Sequence, residues 1–353
     1  MNASLWERLL DAGLVDGAEP QLEAPRPPWY VSLLLALSGW VAALFLFGFF
    51  GFAALTLLQT PMLSLIVGAG IIGAAMAIFR GNGNDFVQHL GLCASLTGQG
   101  LLIWGVFSLT EPNFSATWVF VLMLSVGLAV SMPHALHRTF SAFSAGCALA
   151  MTLTHFGAPY IHNAIILAAA AWCWLNEYRF PRWIGAMSAI GYGLVLALVA
   201  LIVIGLYGYD REVARLVGTD FAPWAAPWHG ELLMGLTTLS VVAVLMRRAG
   251  RSVLEPIGIA ALAGAVVFVI VSLEVPGITA GFVVMVLGFA SQNRVLVGLG
   301  LACLLFFCGN YYYFLAETLL YKAGVLLCVS AVLLLGCWVH RRFVRPAYVL
   351  ESS

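Results

Sequence analysis

Residues 184–208 read IGAMSAIGYGLVLALVALIVIGLYG, and this stretch decides the fold. Its only ionisable side chains are the phenols of Tyr192 and Tyr207. Wound as an α-helix at 1.5 Å per residue it would reach about 37 Å, enough to cross a hydrocarbon core of about 30 Å. Nothing in it alternates with a period that would leave one face polar, so it suits lipid rather than a soluble core. A second run, from Tyr30 to Leu58, carries no ionisable group except Tyr30. The whole chain is 62% hydrophobic and 9% charged, against roughly 25% charged residues in an ordinary soluble domain. The expected fold class is therefore all-α, a polytopic transmembrane helical bundle.

Working outward from this run, breaks of charge, Pro or Asn/Gly divide the chain into twelve apolar segments. They cover about 30–56, 61–79, 86–109, 115–132, 139–157, 160–176, 184–208, 230–246, 255–273, 275–291, 293–312 and 317–339. The connections near Gly157, Glu274 and Gln292 are very short, which sets the expected number at ten to twelve. Loops kept in the cytoplasm are enriched in Lys and Arg. Twelve spans with both termini cytoplasmic put 13 of the 16 cations on that side, leaving Arg211, Arg215 and Lys322 outside. The domain reading follows: 1–29 a cytoplasmic amphipathic helix and Pro-rich linker, 30–340 the transmembrane domain, 341–353 a cytoplasmic basic tail. The amphipathic helix rests on the capping-box form Ser4-Leu5-Trp6-Glu7, with Leu9 and Leu10 at helical spacing. The acidic first residues lack the basic start of a cleaved signal, so the first span is expected to remain.

The charge balance of 16 Lys plus Arg against 16 Asp plus Glu provides no basic surface for phosphates, which excludes nucleic acid as an expected partner. All seven cysteines lie in apolar runs, where they behave as small hydrophobes, and neither a metal nor a cofactor is expected. No nucleophile elbow, HExxH or Walker pattern occurs, so an enzyme is not expected.

Polar groups at membrane depth are costly and are weighed one by one. Gln99, between Gly98 and Gly100, is expected to bond across a close helix interface. His134 and His137 read as an interfacial polar turn, and His155, His162 and Asn163 as a cluster at the opposite turn. Glu231, Glu255 and Glu274 fall at segment ends. Gly68, Gly70, Gly73, Gly191, Gly193, Gly277, Gly281, Gly298 and Gly300 are expected to permit close packing, with Gly277 to Gly281 a literal GxxxG. The most unusual stretch is Tyr311-Tyr312-Tyr313 followed by Glu317, Thr318 and Lys322, the only lysine. With Glu274 these residues form the candidate polar pocket on an acidic outer face. The bland alternative is an aromatic belt with Lys322 reaching outward.

Asn293-Arg294-Val-Leu-Val-Gly298-Leu-Gly300, the three tyrosines, Thr318-Leu319-Leu320 and Lys322 resemble the C-terminal signature of a bacterial membrane family, domain of unknown function 4401. At the other end Pro28-Trp29-Tyr30, running into Gly39-Trp40, resembles that family's first helix. Ala323 departs from the serine expected after the lysine. The resemblance spans about 28 to 345 and implies a multi-pass bacterial inner-membrane protein. It also implies companionship with a small membrane-associated family named for a Gly-Asp-Tyr motif, and it assigns no functional residue. Three readings remain. The first is a structural or partner-binding component, with membrane lipids and another small membrane protein as partners. The second is a transporter or channel for a small or apolar solute, and the third an intramembrane enzyme on lipid-linked substrate.

Overall fold

The computed structural model describes residues 59–81, 85–110, 114–206, 227–252 and 254–314, with residues 10, 12, 13, 30, 31, 34, 37–39, 41, 42, 320, 321 and 327. Among the described residues there is no strand. The helices are α1 (Pro61–Arg80), α2 (Asp85–Thr110), α3 (Phe114–Ser131), α4 (Ala135–His155), α5 (Ile161–Asn176), α6 (Ile184–Leu206), α7 (Pro227–Arg248), α8 (Pro256–Glu274), α9 (Ile278–Ala290) and α10 (Arg294–Phe314). Each apolar segment expected between 61 and 314 is thus one helix, begun or ended within four residues of its expected bounds. Of the described helices, five are long and apolar enough to cross a bilayer: Pro61–Arg80, Phe86–Thr110, Pro181–Leu206, Trp228–Arg248 and Arg294–Phe314. Ser115–Ser131, Gly258–Ile270 and Ile278–Ala290 are shorter apolar helices. Most of the first and last expected segments, and both termini, lie outside the described residues. Leu10 is helical, with the Gly13 N–H donating to its carbonyl at 2.9 Å; the rest of the 4–10 helix is not described.

Local chemistry places the helix ends. Proline opens α1, α7 and α8, where its missing N–H costs nothing. Three helices close by the same backbone motif, in which the last turn's carbonyls receive two N–H groups from beyond the helix. Ala158 and Gly157 close α4 onto Leu153 and Thr154, Arg251 and Gly250 close α7 onto Met246 and Arg247, and Asn293 and Gln292 close α9 onto Gly288 and Phe289. The residue turning the corner has positive φ in each: 78° at Gly157, 68° at Gly250 and 55° at Gln292. This is why the connections near Gly157 and Gln292 are so short.

The chain divides into two units, Met1–Leu109 and Thr110–Ser353. In the first, α1 and α2 run antiparallel through a glycine seam. Gly91, Gly98 and Gly105, seven residues apart, meet Ile78, Gly68 and Leu65. A Cβ on Gly68 or on Gly98 would lie 2.8 Å from the other's carbonyl oxygen. Gln99 is buried beside this crossing.

In the second unit α5 is central, packing on α4, α6, α7 and α9. Ile166, Leu167, Leu198, Met234, Val283, Leu287, Leu296 and Phe307 form its buried centre. Small residues set the tightest crossings: a Cβ on Gly193 would stand 2.3 Å from the Thr139 carbonyl, and one on Gly146 2.6 Å from Ala197. Gly277 and Gly281 face Phe307 and Leu304 of α10, so the GxxxG does mark an interface. Gly70, Gly73 and Gly298 meet nothing within 4 Å, so the packing role expected of them is not seen among the described residues.

Hydroxyls complete these contacts. Ser125 bonds to Ser144 at 3.1 Å between α3 and α4, and Thr139 reaches the Ala189 carbonyl of α6 at 3.0 Å.

Candidate functional site

The antiparallel order of helices gives the second unit two unlike ends. Seven described arginines, Arg138, Arg179, Arg182, Arg247, Arg248, Arg251 and Arg294, all fall at the end where α3, α5, α7 and α9 finish. Helix C-termini carry unpaired carbonyls and partial negative charge, and cations complement both. Arg138 donates to the Met132 carbonyl and, at 3.5 Å, to Val130 O, closing α3. Arg248 donates to the Leu175 carbonyl and to Asn176 Oδ1 at 3.5 Å, tying α7 to the end of α5. Among the described residues the acids at this end are Glu177 and Glu255. Glu255 pairs with Arg251 at 3.8 Å. Glu177 is buried, which pushes its carboxyl above the usual range.

Tyr178, Phe180 and Trp183 are exposed at the basic end, and Phe156, Trp228, Tyr313 and Phe314 at the other. Between these aromatic rims the surface is apolar, as at Met123, Ile204, Leu236 and Leu305. An apolar band between aromatic rims is the surface a bilayer selects.

Asn293 organises the basic end. Its Oδ1 accepts the N–H groups of Val295 and Leu296, each at 3.1 Å, capping α10. That fixes its amide orientation, and Nδ2 donates to the Tyr192 hydroxyl of α6 at 2.7 Å. The Tyr192 ring meets Trp174 of α5 edge-on, centroids 4.9 Å apart. His137, expected in an interfacial turn, is instead fully buried, with Nδ1 3.1 Å from Ser141 Oγ. Among the described residues no His, Cys, Asp and Glu group is arranged to hold a metal ion.

The opposite end gathers buried polar atoms without a partner among the described residues. Thr154 and Thr279 are buried, and neither their hydroxyls nor the buried Asn163 Oδ1 and Glu231 Oε2 meet a hydrogen-bond partner among those residues. These residues stand near the ends of α4, α5, α7 and α9 that lie opposite the arginines. Glu231 is at a segment end, as expected, yet one of its oxygens is out of contact with solvent.

The candidate pocket of Tyr311, Tyr312, Tyr313, Glu317, Thr318, Lys322 and Glu274 is described only in part. Successive residues on a helix point about 100° apart, and the tyrosines accordingly diverge. Tyr311 is half-buried against the core, whereas Tyr312 and Tyr313 are exposed. A shallow concavity of about 430 Å³ lies beside Gly309, between Asn310 and Tyr313. Glu317, Thr318, Lys322 and the Glu274 side chain lie outside the described residues.

Two larger concavities open sideways. One, of about 600 Å³, lies between α5 and α7 and reaches Asn176 and Arg248. The other, of about 630 Å³, is formed by α3 to α6, floored by Ala129, Ala142, Ala145, Ala169 and Ala186 and bounded by Phe180 and Trp183. Sequence reasoning missed both. Their signal was the alanine stripe of α5, read only as apolar.

The apolar helices, the lateral surface and the aromatic rims define a polytopic α-helical membrane protein. Residues 28–343 match the family described as Domain of unknown function (DUF4401), and the chain belongs to that family. No curated protein and no solved structure matches it.

Proposed function

We propose that this protein is a membrane-embedded holding component that seats a transmembrane segment of another small membrane protein on its flank. The full reading is about twelve spans in a bacterial inner membrane, with the basic end and both termini toward the cytoplasm. The observation that carries it is the α3–α6 concavity. Its alanine floor admits close approach of another helix, which is how helices associate where no hydrophobic drive exists between them. Its rim offers few polar groups beyond the Cys173 thiol and the indoles of Trp172 and Trp183. Away from Thr154 and Thr279, many of the bundle's hydroxyls are engaged with neighbouring helices or with carbonyls of their own helix, as at Ser125, Thr139, Thr237 and Ser240. This supports holding over conduction.

A photo-crosslinking residue at Ile190, inside this concavity, tests the proposal in cells. A protein adduct is expected there and not from Ile204 on the exposed surface of the same helix, and Ala169→Phe should abolish it. Lipid adducts alone from both positions would refute it.

A second reading, a solute or ion pathway, is favoured by the unpaired Thr154, Asn163, Glu231 and Thr279 atoms. It predicts solute flux in proteoliposomes that Glu231→Gln reduces and Ala169→Phe leaves intact. The pocket around Lys322 remains part of the proposal as a place where an ammonium meets a carboxylate of the protein, a lipid or a partner.

A further inference from the structure

The α5–α7 concavity differs from the α3–α6 one in a single respect that determines its occupant: it ends on a cation. Along α5 its floor is Ala164, Ala168 and Ala171, with Ile165, Trp172 and Leu175 at its edge, and along α7 its wall includes Leu233, Thr237 and Val241; the alanines and the α7 set each repeat at three or four residues along one face. Small side chains on α5 leave a trough against the larger ones of α7. The Thr237 hydroxyl bonds back to the Leu233 carbonyl at 2.9 Å, so the wall makes no polar demand on what lies in it. From Ala164 to Asn176 the trough runs about 18 Å, close to the depth of one leaflet of a core about 30 Å thick.

At its end stands the exposed guanidinium of Arg248. It has five N–H donors; Leu175 O and Asn176 Oδ1 hold it across the mouth and leave donors for an anion. Arg247 is exposed beside it. Nearby acids do not cancel this charge, because Glu255 is engaged with Arg251 and Glu177 is buried.

We propose that this trough is a binding site for an anionic phospholipid, an acyl chain lying along the alanines of α5 and the phosphate on Arg248. The orientation in which the basic end is cytoplasmic would place it in the leaflet richest in anionic lipid. A zwitterionic lipid fits the trough equally and also has a phosphate, but its own ammonium offsets much of the attraction of the exposed Arg247 and Arg248, so net headgroup charge biases occupancy. The proposal rests on the membrane placement and not on a protein partner in the α3–α6 concavity.

The test uses the full chain in mild detergent, with native mass spectrometry reading bound lipid during titration with phosphatidylglycerol or phosphatidylcholine. Phosphatidylglycerol should be retained preferentially. Arg248→Gln should cut that preference about five-fold, the effect of one cation at the headgroup level. Ala168→Phe blocks the trough at an exposed position that the core does not use, and it should lower retention of both lipids while the preference of what still binds falls. Equal retention of the two lipids by the unmodified chain would overturn the proposal. So would an Arg248→Gln chain that keeps its preference, or an Ala168→Phe chain that keeps its occupancy. Because the Ile190 adducts report on the other concavity, failure of one proposal is readable apart from failure of the other.

Discussion

Replacing Asn293 by alanine should destabilise the second unit by about 2 kcal/mol, through two separable losses. The first is the cap: Oδ1 accepts two N–H groups at the start of α10 at 3.1 Å, and such caps contribute about 1 kcal/mol. The second is the 2.7 Å bond from Nδ2 to the Tyr192 hydroxyl, also about 1 kcal/mol. Side chains that keep one function and not the other separate them. Asn293→Ser preserves a capping oxygen but is too short to reach α6, so it should cost about 1 kcal/mol. Asn293→Asp keeps the cap, favours the helix N-terminus and can accept the Tyr192 proton, and should fall within about 0.5 kcal/mol of the unmodified chain. Tyr192→Phe retains the edge contact with Trp174 and loses only the hydrogen bond. Combined with Asn293→Ala it should show a coupling of about 1 kcal/mol. Reversible unfolding by SDS titration in mixed micelles, followed by tryptophan fluorescence, measures the four single variants and the double variant. The reasoning fails if Asn293→Ala lies within 0.5 kcal/mol of the unmodified chain, or if the double-mutant coupling with Tyr192→Phe is zero.

The same assay separates glycines that pack from glycines that do not. Gly193→Leu places side-chain atoms into the Thr139 carbonyl and Ala142 and should cost about 1–3 kcal/mol or more, whereas Gly298→Ala, with open space around it, should be neutral or gain about 0.5–1 kcal/mol. Gln292 is the described non-glycine residue at positive φ, so Gln292→Gly should stabilise the unit by about 1 kcal/mol and raise the SDS midpoint, and a fall in the midpoint would deny the αL turn. Lys322→Met keeps the aliphatic stem and removes the charge. If the lysine pairs with a carboxylate or a partner, insertion should be normal and partner recovery reduced; unchanged recovery would reduce the tyrosine stretch to an aromatic belt.

The sequence by itself determined the class of fold and nearly every described helix, because a bilayer imposes a rule that can be read residue by residue. A span must be apolar for about twenty residues and must end at charge, proline or glycine. Residues 184–208 met that rule without help, and the ten segments between 61 and 314 met it well enough to be bounded within four residues. The concentration of arginine at one end was also legible, since connection lengths alone fix which ends lie together. What only the tertiary structure decided was which face of each helix meets a neighbour. In lipid the buried and exposed faces are almost equally apolar, so periodicity carries little of that information. Gly68 and Gly70 look alike in the chain, yet one touches the Gly98 carbonyl and the other nothing among the described residues. The seven-residue rhythm of Gly91, Gly98 and Gly105 was present in the sequence, but glycine is common here and only the partner helix distinguishes a seam from chance. Asn293 looked like part of a signature, and its function as a cap joined to Tyr192 needed two residues 101 positions apart to be brought together. The lateral concavities belong to the same class: a trough is the absence of side-chain volume between two helices, and no single segment encodes an absence that its neighbour must complete.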